Sequence, residues 1–341
     1  MFYTSPQLFS MPSYSKKYSI LLICTFLCFV VIRTCSAQKI IPALVIHGGA
    51  GTIKKGLLSD SLEAEIRASL QEALDAGYAV LNEGGSAQDA VSTAIIVLEN
   101  APHFNAGKGA VMNAEGNHEL DASIMVGDDR DAGAIAGAST IKNPILGAIA
   151  VMEETPHVML AGEGADRLAK EIGLEQVEND YFTTEKIKLR WEKTQSDVSD
   201  SEFSKFGTVG AVAIDQEGNI AAGTSTGGMM NKQYNRIGDS PIIGAGTYAD
   251  NSTCGVSCTG HGEYFIRLAV AKEISAQMEF GGKSLEKAVQ STLEKLEKMN
   301  GTGGVIAIDK EGKIVMDFNT EGMYRGYKKD GKSEVNIYGT D

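Results

Sequence analysis

Thr208 stands at a junction where its chemistry can change. Behind it lies a polar stretch, residues 174–206, rich in Glu, Lys, Ser and Asp and closed by Gly207. Ahead lies the apolar run Val209-Gly210-Ala211-Val212-Ala213-Ile214. Glycine tolerates backbone conformations that side chains forbid, so the Thr208 hydroxyl can be brought against the Gly207 carbonyl. Attack there converts the amide into an ester that water cuts. The product carries a hydroxyl and a free α-amine on one residue. An α-amine titrates near about 7.7–8.0, so it can take the hydroxyl proton as general base without a separate histidine. Taken alone, Gly-Thr is also an ordinary strand start.

The elements around this junction can be read from periodicity. Ala43-Leu44-Val45-Ile46 is an apolar run that enters the loop His47-Gly48-Gly49-Ala50-Gly51, as a buried strand would. Asp60 with Glu63 resembles a capping box, and Leu62, Ile66, Leu70, Ala73, Leu74 and Leu81 keep helical spacing up to Gly84-Gly85. Ser86 with Asp89 opens a second helix to about Glu99. Residues 103–137 are glycine-rich with short strand-like pieces, and His157-Val158-Met159-Leu160 reads as a short strand. The 174–206 stretch has no firm apolar periodicity and reads as a mobile, protease-accessible linker. Thr208–Ala222 reads as a hairpin, and its A-I-D-x-E-G-x-I spacing returns at Ala307–Ile314. Two helices are expected between the hairpins, about Gly262–Phe280 and Ser284–Met299. Hairpins imply antiparallel sheets, and strands apolar on both faces imply helical cover. The expectation is an α/β layered fold, an αββα sandwich.

Composition narrows the function classes. The chain has 341 residues, 39 glycines and a net charge of −13, with no basic stripe of the kind a nucleic-acid binder shows. No glycine motif sits between a strand and an immediate helix start, as a dinucleotide or phosphate-loop site requires. No CxxC pair, HExxH or other zinc spacing appears. Lys16 and Lys17, the apolar run Ile20–Ile32 and the small-residue exit Cys35-Ser36-Ala37 are the parts of a secretory signal. Residues 1–37 are therefore expected to be a signal peptide, which makes the protein secreted or periplasmic; an uncleaved N-terminal anchor is the alternative. Beyond that segment only Cys254 and Cys258 remain, read as small buried residues rather than a bridge.

Taken together, the motifs resemble the plant-type asparaginase and isoaspartyl-peptidase family of N-terminal-nucleophile hydrolases. The likeness covers almost all of residues 43–341. It rests on His47-Gly48-Gly49-Ala50-Gly51, Phe104-Asn105-Ala106-Gly107, His118-Glu119-Leu120-Asp121-Ala122 and the Gly207–Ala213 run. It continues through Thr224-Ser225-Thr226-Gly227-Gly228-Met229, Arg236-Ile237-Gly238-Asp239-Ser240-Pro241, Ser257-Cys258-Thr259-Gly260 and Asn319-Thr320-Glu321-Gly322-Met323. The resemblance implies a cut between Gly207 and Thr208, giving an α subunit (38–207) and a β subunit (208–341) of one catalytic domain.

The resemblance also assigns roles. Thr208 is the implied nucleophile, with Thr226 tuning its hydroxyl and amine. Arg236 would clamp a substrate α-carboxylate with its planar fork, and Asp239 would hold the α-ammonium; at three-residue spacing the two also suit a surface ion pair. Ile237, Gly238 and Gly262 belong to the same substrate-binding set. Thr259 and the Gly260 amide would form the oxyanion hole. His261 stands where smaller residues such as Thr are usual and reads as a pocket-edge or structural histidine. Asn105 would support the nucleophile. Backbone carbonyls of Leu98, Glu99, Ala101, Phe104, Ala106 and Lys108 would form a structural sodium loop, with no cofactor in catalysis. In the family the His118–Asp121 cluster is structural rather than metal-binding.

The implied activity is release of aspartate from isoaspartyl (β-aspartyl) dipeptides and L-asparagine by an autoprocessed threonine hydrolase, acting as a homodimer of αβ units on a small-molecule or dipeptide substrate. A glycosylasparaginase is the alternative within the same mechanism. A secreted, catalytically silent binding protein is the alternative of another class.

Overall fold

Alternation along the strands explains the layering. In β1 (Ala43–Gly51), Leu44 and Ile46 join one apolar cluster while Ala43 and Val45 join another. β5 (Val209–Ile214) does the same, with Val209, Ala211 and Ala213 on one face and Val212 and Ile214 on the other. Side chains of a strand point alternately to opposite faces, so a sheet built from such strands must be covered on both sides.

The structure, a computed structural model, describes residues 1–2, 40–196 and 207–339. The expected signal segment, apart from Met1 and Phe2, lies outside the described residues. The chain from Ile40 onward forms one compact unit. Its larger sheet has eight strands in the order β12-β11-β1-β5-β6-β2-β3-β4. These are β2 (Leu120–Val126), β3 (Ala132–Ala138), β4 (Met159–Ala161), β6 (Ile220–Thr226), β11 (Gly322–Lys329) and β12 (Lys332–Tyr338), with β1 and β5 at the centre. The smaller sheet runs β10-β9-β8-β7, with β7 (Thr247–Ala249), β8 (Cys254–Gly260), β9 (Gly303–Asp309) and β10 (Ile314–Phe318). All pairings are antiparallel except β3 with β4. The two similar hairpins fall one in each sheet, β5–β6 and β9–β10.

Helices α1 (Asp60–Asn82), α2 (Ala87–Asn100) and α3 (Pro144–Glu154) cover the large sheet through Leu70, Leu74, Ile95 and Ile145. Helices α6 (Gly262–Leu268), α7 (Val270–Glu279) and α8 (Leu285–Lys298) cover the small sheet through Phe265, Ile274 and Leu293. Between them α4 (Glu163–Glu171) and α5 (Glu185–Ser196) decorate the N-terminal portion. The layers are helix, sheet, sheet, helix.

Three expectations are corrected. The cap of α1 is Ser59, whose hydroxyl accepts from the Leu62 amide, rather than Asp60. The single helix expected over Gly262–Phe280 is broken at Ala269, which is left-handed at φ 49°. The cause lies in the neighbouring loop: the amides of Ala271 and Lys272 donate to the carbonyls of Ala245 and Gly244, which turns the chain onto a new axis. The 174–206 stretch is not a linker as far as Ser196. A 3₁₀ turn at Asn179–Phe182 buries Phe182 against Ala110 and Leu120. In α5, Ile187 packs with Val111, Met112 and Met230, and the Trp191 indole donates to the Asn113 carbonyl at 2.8 Å. Residues 197–206 lie outside the described residues. Cys254 and Cys258 are buried free thiols.

Candidate active site

β5 and β6 place the central pair. Val209 faces Ser225 in the antiparallel register, so Thr208, just before β5, comes level with Thr226 at the end of β6. The Thr208 hydroxyl donates to Thr226 Oγ1 at 3.1 Å, and the Gly228 amide donates to Thr226 Oγ1 at 3.0 Å. Ser240 Oγ lies 3.5 Å from Thr208 Oγ1. Thr208 is nearly buried, at 8% exposure. Its hydroxyl therefore sits on a short relay of side-chain oxygens.

Asn105 braces the turn that presents Thr226. Its amide group donates to the Gly228 carbonyl at 2.7 Å, its side-chain oxygen accepts from the Val111 amide, and its backbone carbonyl accepts from Gly227. The 98–108 loop thus backs the site without lining the cavity. Within it, the Lys108 amide donates to the Glu99 carbonyl at 2.7 Å, and Gly107, at φ 50°, lies against that same carbonyl. The Glu99 carboxyl is buried; Oε1 accepts from Ser225 and from the Ile145 amide, and burial pushes its pKa up to about 7.

Gly207 lies against Gly49, itself at φ 109°. A Cβ on Gly207 would fall 2.0 Å from the Gly49 Cα, far inside contact distance. Both sides of this approach require the absence of a side chain.

His47 holds Thr208 from behind. Its Nδ1 lies 3.0 Å from the Thr208 carbonyl, which can only accept, so Nδ1 carries the proton. Nε2 then accepts from the Ser257 hydroxyl at 3.0 Å. Ser257 is in turn 2.7 Å from Thr224 Oγ1, to which Thr247 donates. Burial lowers the His47 pKa to about 3, so the ring stays neutral, and the Thr208 carbonyl only partly opposes this.

A cavity of about 450 Å³ opens in front of Thr208. Gly207, Thr208, Thr226, Arg236, Gly238, Asp239, Gly260 and His261 line it. Thr259 is fully buried behind the wall; its hydroxyl accepts from the Ala50 amide at 3.3 Å, leaving its own proton to donate. Gly262 sits behind Arg236 and Asp239, and Ile237 is turned outward, 40% exposed and off the cavity wall. Asp239 is 4% exposed and its Oδ2 has no hydrogen-bond partner among the described residues. Burial pushes its pKa up to about 7; Arg236 pulls the other way, while Glu263 and Asp121 add to the rise. Arg236 does not form the ion pair with Asp239 that their spacing alone would suit. It is held by Glu263, through Nε at 2.9 Å and Nη2 at 3.0 Å. His261 packs its ring against Tyr264 at the cavity edge.

Chemically this is a nearly buried hydroxyl in a cavity whose wall also holds an arginine and an aspartate with one unpartnered oxygen, sized for a small amino-acid derivative. The sequence model of the family described as Asparaginase matches residues 40–337. The chain belongs to the asparaginase family.

Individual relatives of that family agree in extent. An Escherichia coli isoaspartyl peptidase is 47% identical over 297 residues, covering 83% of this chain and 92% of its own. An isoaspartyl peptidase/L-asparaginase from Xenopus laevis is 43% identical over 300 residues, covering 87% and 95%. The one from Homo sapiens is 40% identical over 300 residues, covering 87% and 96%. The sequence alone assigns no role to His47, Ser240 or Glu263. His47 and Ser240 lie inside motifs recognised in the sequence, but their partners are distant: His47 meets Ser257 across 210 positions. Among the described residues no cluster of acidic, histidine or cysteine side chains could hold a metal ion, and no helix is long and apolar enough to cross a membrane.

Proposed function

We propose that this protein is an autoprocessed threonine hydrolase that releases aspartate from isoaspartyl dipeptides and L-asparagine. The observation that carries the reading is the placement of the Thr208 hydroxyl 3.1 Å from Thr226 Oγ1, in a cavity whose wall holds Arg236 and Asp239, whose Oδ2 has no partner among the described residues. The relatives' names support the substrate class.

As translated, Thr208 is internal and has no free amine. Its hydroxyl attacks the Gly207 carbonyl; the peptide nitrogen departs as the α-amine of Thr208, leaving an ester that water hydrolyses. The close Gly207–Gly49 approach fits a scissile residue with no side chain. In the processed enzyme the α-amine takes the hydroxyl proton, and Thr208 Oγ1 attacks the substrate's side-chain carbonyl. The Thr259 hydroxyl and Gly260 amide stabilise the negative oxygen. Ammonia or an amino acid leaves with the proton, and water then releases aspartate from the β-aspartyl enzyme. Arg236 and Asp239 hold the α-carboxylate and α-ammonium.

Three further readings complete the proposal. Residues 1–37 are removed on export. The αβ units pair into a homodimer. The 98–108 loop, which turns tightly where Gly107 lies against the Glu99 carbonyl, holds a structural sodium ion in this reading, since hard cations take oxygen ligands. The sodium reading predicts a higher melting temperature in sodium chloride than in choline chloride at equal ionic strength; equal melting would remove it.

Intact mass and N-terminal sequencing test the central reading. The purified protein should contain a chain that begins Thr208-Val209-Gly210, and it should turn over β-aspartyl-leucine. Thr208→Ala should remain a single chain and lose about 10⁴-fold or more of the activity. A Thr208→Ala protein that still splits at this bond would overturn self-cleavage.

A further inference from the structure

An arginine guanidinium has five N–H donors in a rigid fork. In Arg236 the side edge of that fork is already committed, since Nε and Nη2 grip the two oxygens of Glu263 at 2.9 and 3.0 Å. The end edge, Nη1 with the second Nη2 hydrogen, is left for a ligand. Among the described residues, Glu263 is the one carboxylate within 4.0 Å of an Arg236 nitrogen. Its own carboxyl is held below the usual glutamate range, chiefly by those hydrogen bonds.

The backbone is built to seat this fork. A Cβ on Gly238 would lie 2.8 Å from Nη1. A Cβ on Gly262 would lie 2.8 Å from Nη2 and 2.9 Å from Asp239 Oδ1. Nη2 and Asp239 Oδ1 therefore both come within 3 Å of one point above Gly262. Glu263 follows that glycine on the first turn of α6, so spacer and clamp come from the same turn.

This arrangement poses a physical problem. A buried aspartate with an unpartnered oxygen stands beside a guanidinium. Left alone, the two would close on each other as a bidentate pair, and each would then be lost to the substrate. Glu263 prevents that by taking the fork from the other side. Its side chain is half exposed, where an ion pair adds little to stability. Its value lies in pre-ordering a long, flexible side chain before the ligand arrives.

We propose that Glu263 is a substrate-positioning residue: it holds Arg236 by the side edge, keeps it off Asp239, and leaves the end edge for the substrate α-carboxylate. The inference rests on the head-group reading under Proposed function.

The test compares Glu263→Ala and Glu263→Gln with the unsubstituted protein on two substrates. β-Aspartyl-leucine carries the α-carboxylate; β-alanyl-leucine is the same molecule without it. For Glu263→Ala, KM for β-aspartyl-leucine should rise about tenfold with kcat within about twofold, because ground-state and transition-state binding fall together. Activity on β-alanyl-leucine should be unchanged, so discrimination between the two narrows. Glu263→Gln, which keeps one acceptor but not the charge, should fall between. Binding of L-aspartate, followed by calorimetry, should weaken in the same order. An unchanged or lowered KM in Glu263→Ala would overturn the proposal, since Glu263 would then be idle or a stand-in that the substrate displaces. Equal losses on both substrates would overturn it too, as general damage. If the unsubstituted protein fails to cleave β-aspartyl-leucine, the proposed function falls, and the L-aspartate titrations still decide the role of Glu263.

Discussion

The role proposed for Asp239 needs a charge in a place that disfavours charge. Burial raises its pKa to about 7, above the ordinary carboxylate range, so the folded state holds its proton more tightly than the unfolded chain does. The sign follows: stability is full below the ordinary aspartate range and is lost as pH rises through about 7. In the proposed role, binding of an α-ammonium needs the ionised form, so substrate affinity would move the opposite way with pH. Asp239→Asn should therefore lower kcat/KM by about 10²–10³-fold, and yet melt at a higher temperature than the unsubstituted protein at pH 8, with the gap closing toward pH 5. Thermal melts at both pH values check this; a destabilised variant at pH 8 would contradict it. At this scale the sequence was informative where chemistry is local. Thr208, Arg236 and Asp239 stand out by type and motif. No role can be read there for Glu263, His47 or Ser240, because their contacts depend on side-chain directions between elements far apart in sequence. Arg236 and Asp239 illustrate the limit, for a three-residue spacing says nothing of a third group that separates them.

Among the elements, the two hairpins were readable because alternating apolar residues and a glycine-containing turn recur with the same spacing. The break at Ala269 was not, since alanine carries no end-of-helix signal and the cause is a pair of distant carbonyls, Gly244 and Ala245. Helix α5 was missed for a similar reason. It is mostly polar, and its anchoring depends on Ile187 and Trp191 meeting the 111–113 segment. That segment also supplies the Val111 amide that fixes Asn105, so α5 is joined to the turn bearing Thr226. Trp191→Ala removes packing and leaves the Asn113 carbonyl without its indole donor. For a partly buried tryptophan this should cost about 2–3 kcal/mol, below the 3–5 typical of full burial. Denaturant melts give the stability loss, and kcat on β-aspartyl-leucine should fall by about two- to fivefold through the loosened brace. A variant of unchanged stability would show that α5 is only laid on the surface.

Across the whole molecule, the strand order decides what a cut before Thr208 can do. β1 lies between β11 and β5, and β2 lies beside β6, so one strand from before the proposed cut is inserted among strands from after it, and a second junction joins the two sets. The αββα layering was readable from apolar pattern and hairpin signals, but this interleaving was not, because nothing local specifies which distant strands become neighbours. The two fragments should co-elute on native size exclusion and separate only in denaturant. Either fragment expressed alone should be insoluble or unfolded, since β1 and β2 lose partners in one and β5, β6 and β11 lose partners in the other. Fragments that separate in mild buffer would be inconsistent with the sheet order.

The same interleaving changes the molecularity of folding. Before the cut, β1 finds β5 and β11 within its own chain, and refolding is a first-order event independent of concentration. After it, the same hydrogen bonds join two separate molecules. Native and denatured states then differ in particle number, so the midpoint of unfolding depends on protein concentration. Maturation would thus exchange a unimolecular folder for an assembly that, once diluted and unfolded, reassembles by collision, so recovery of the processed enzyme depends on its concentration.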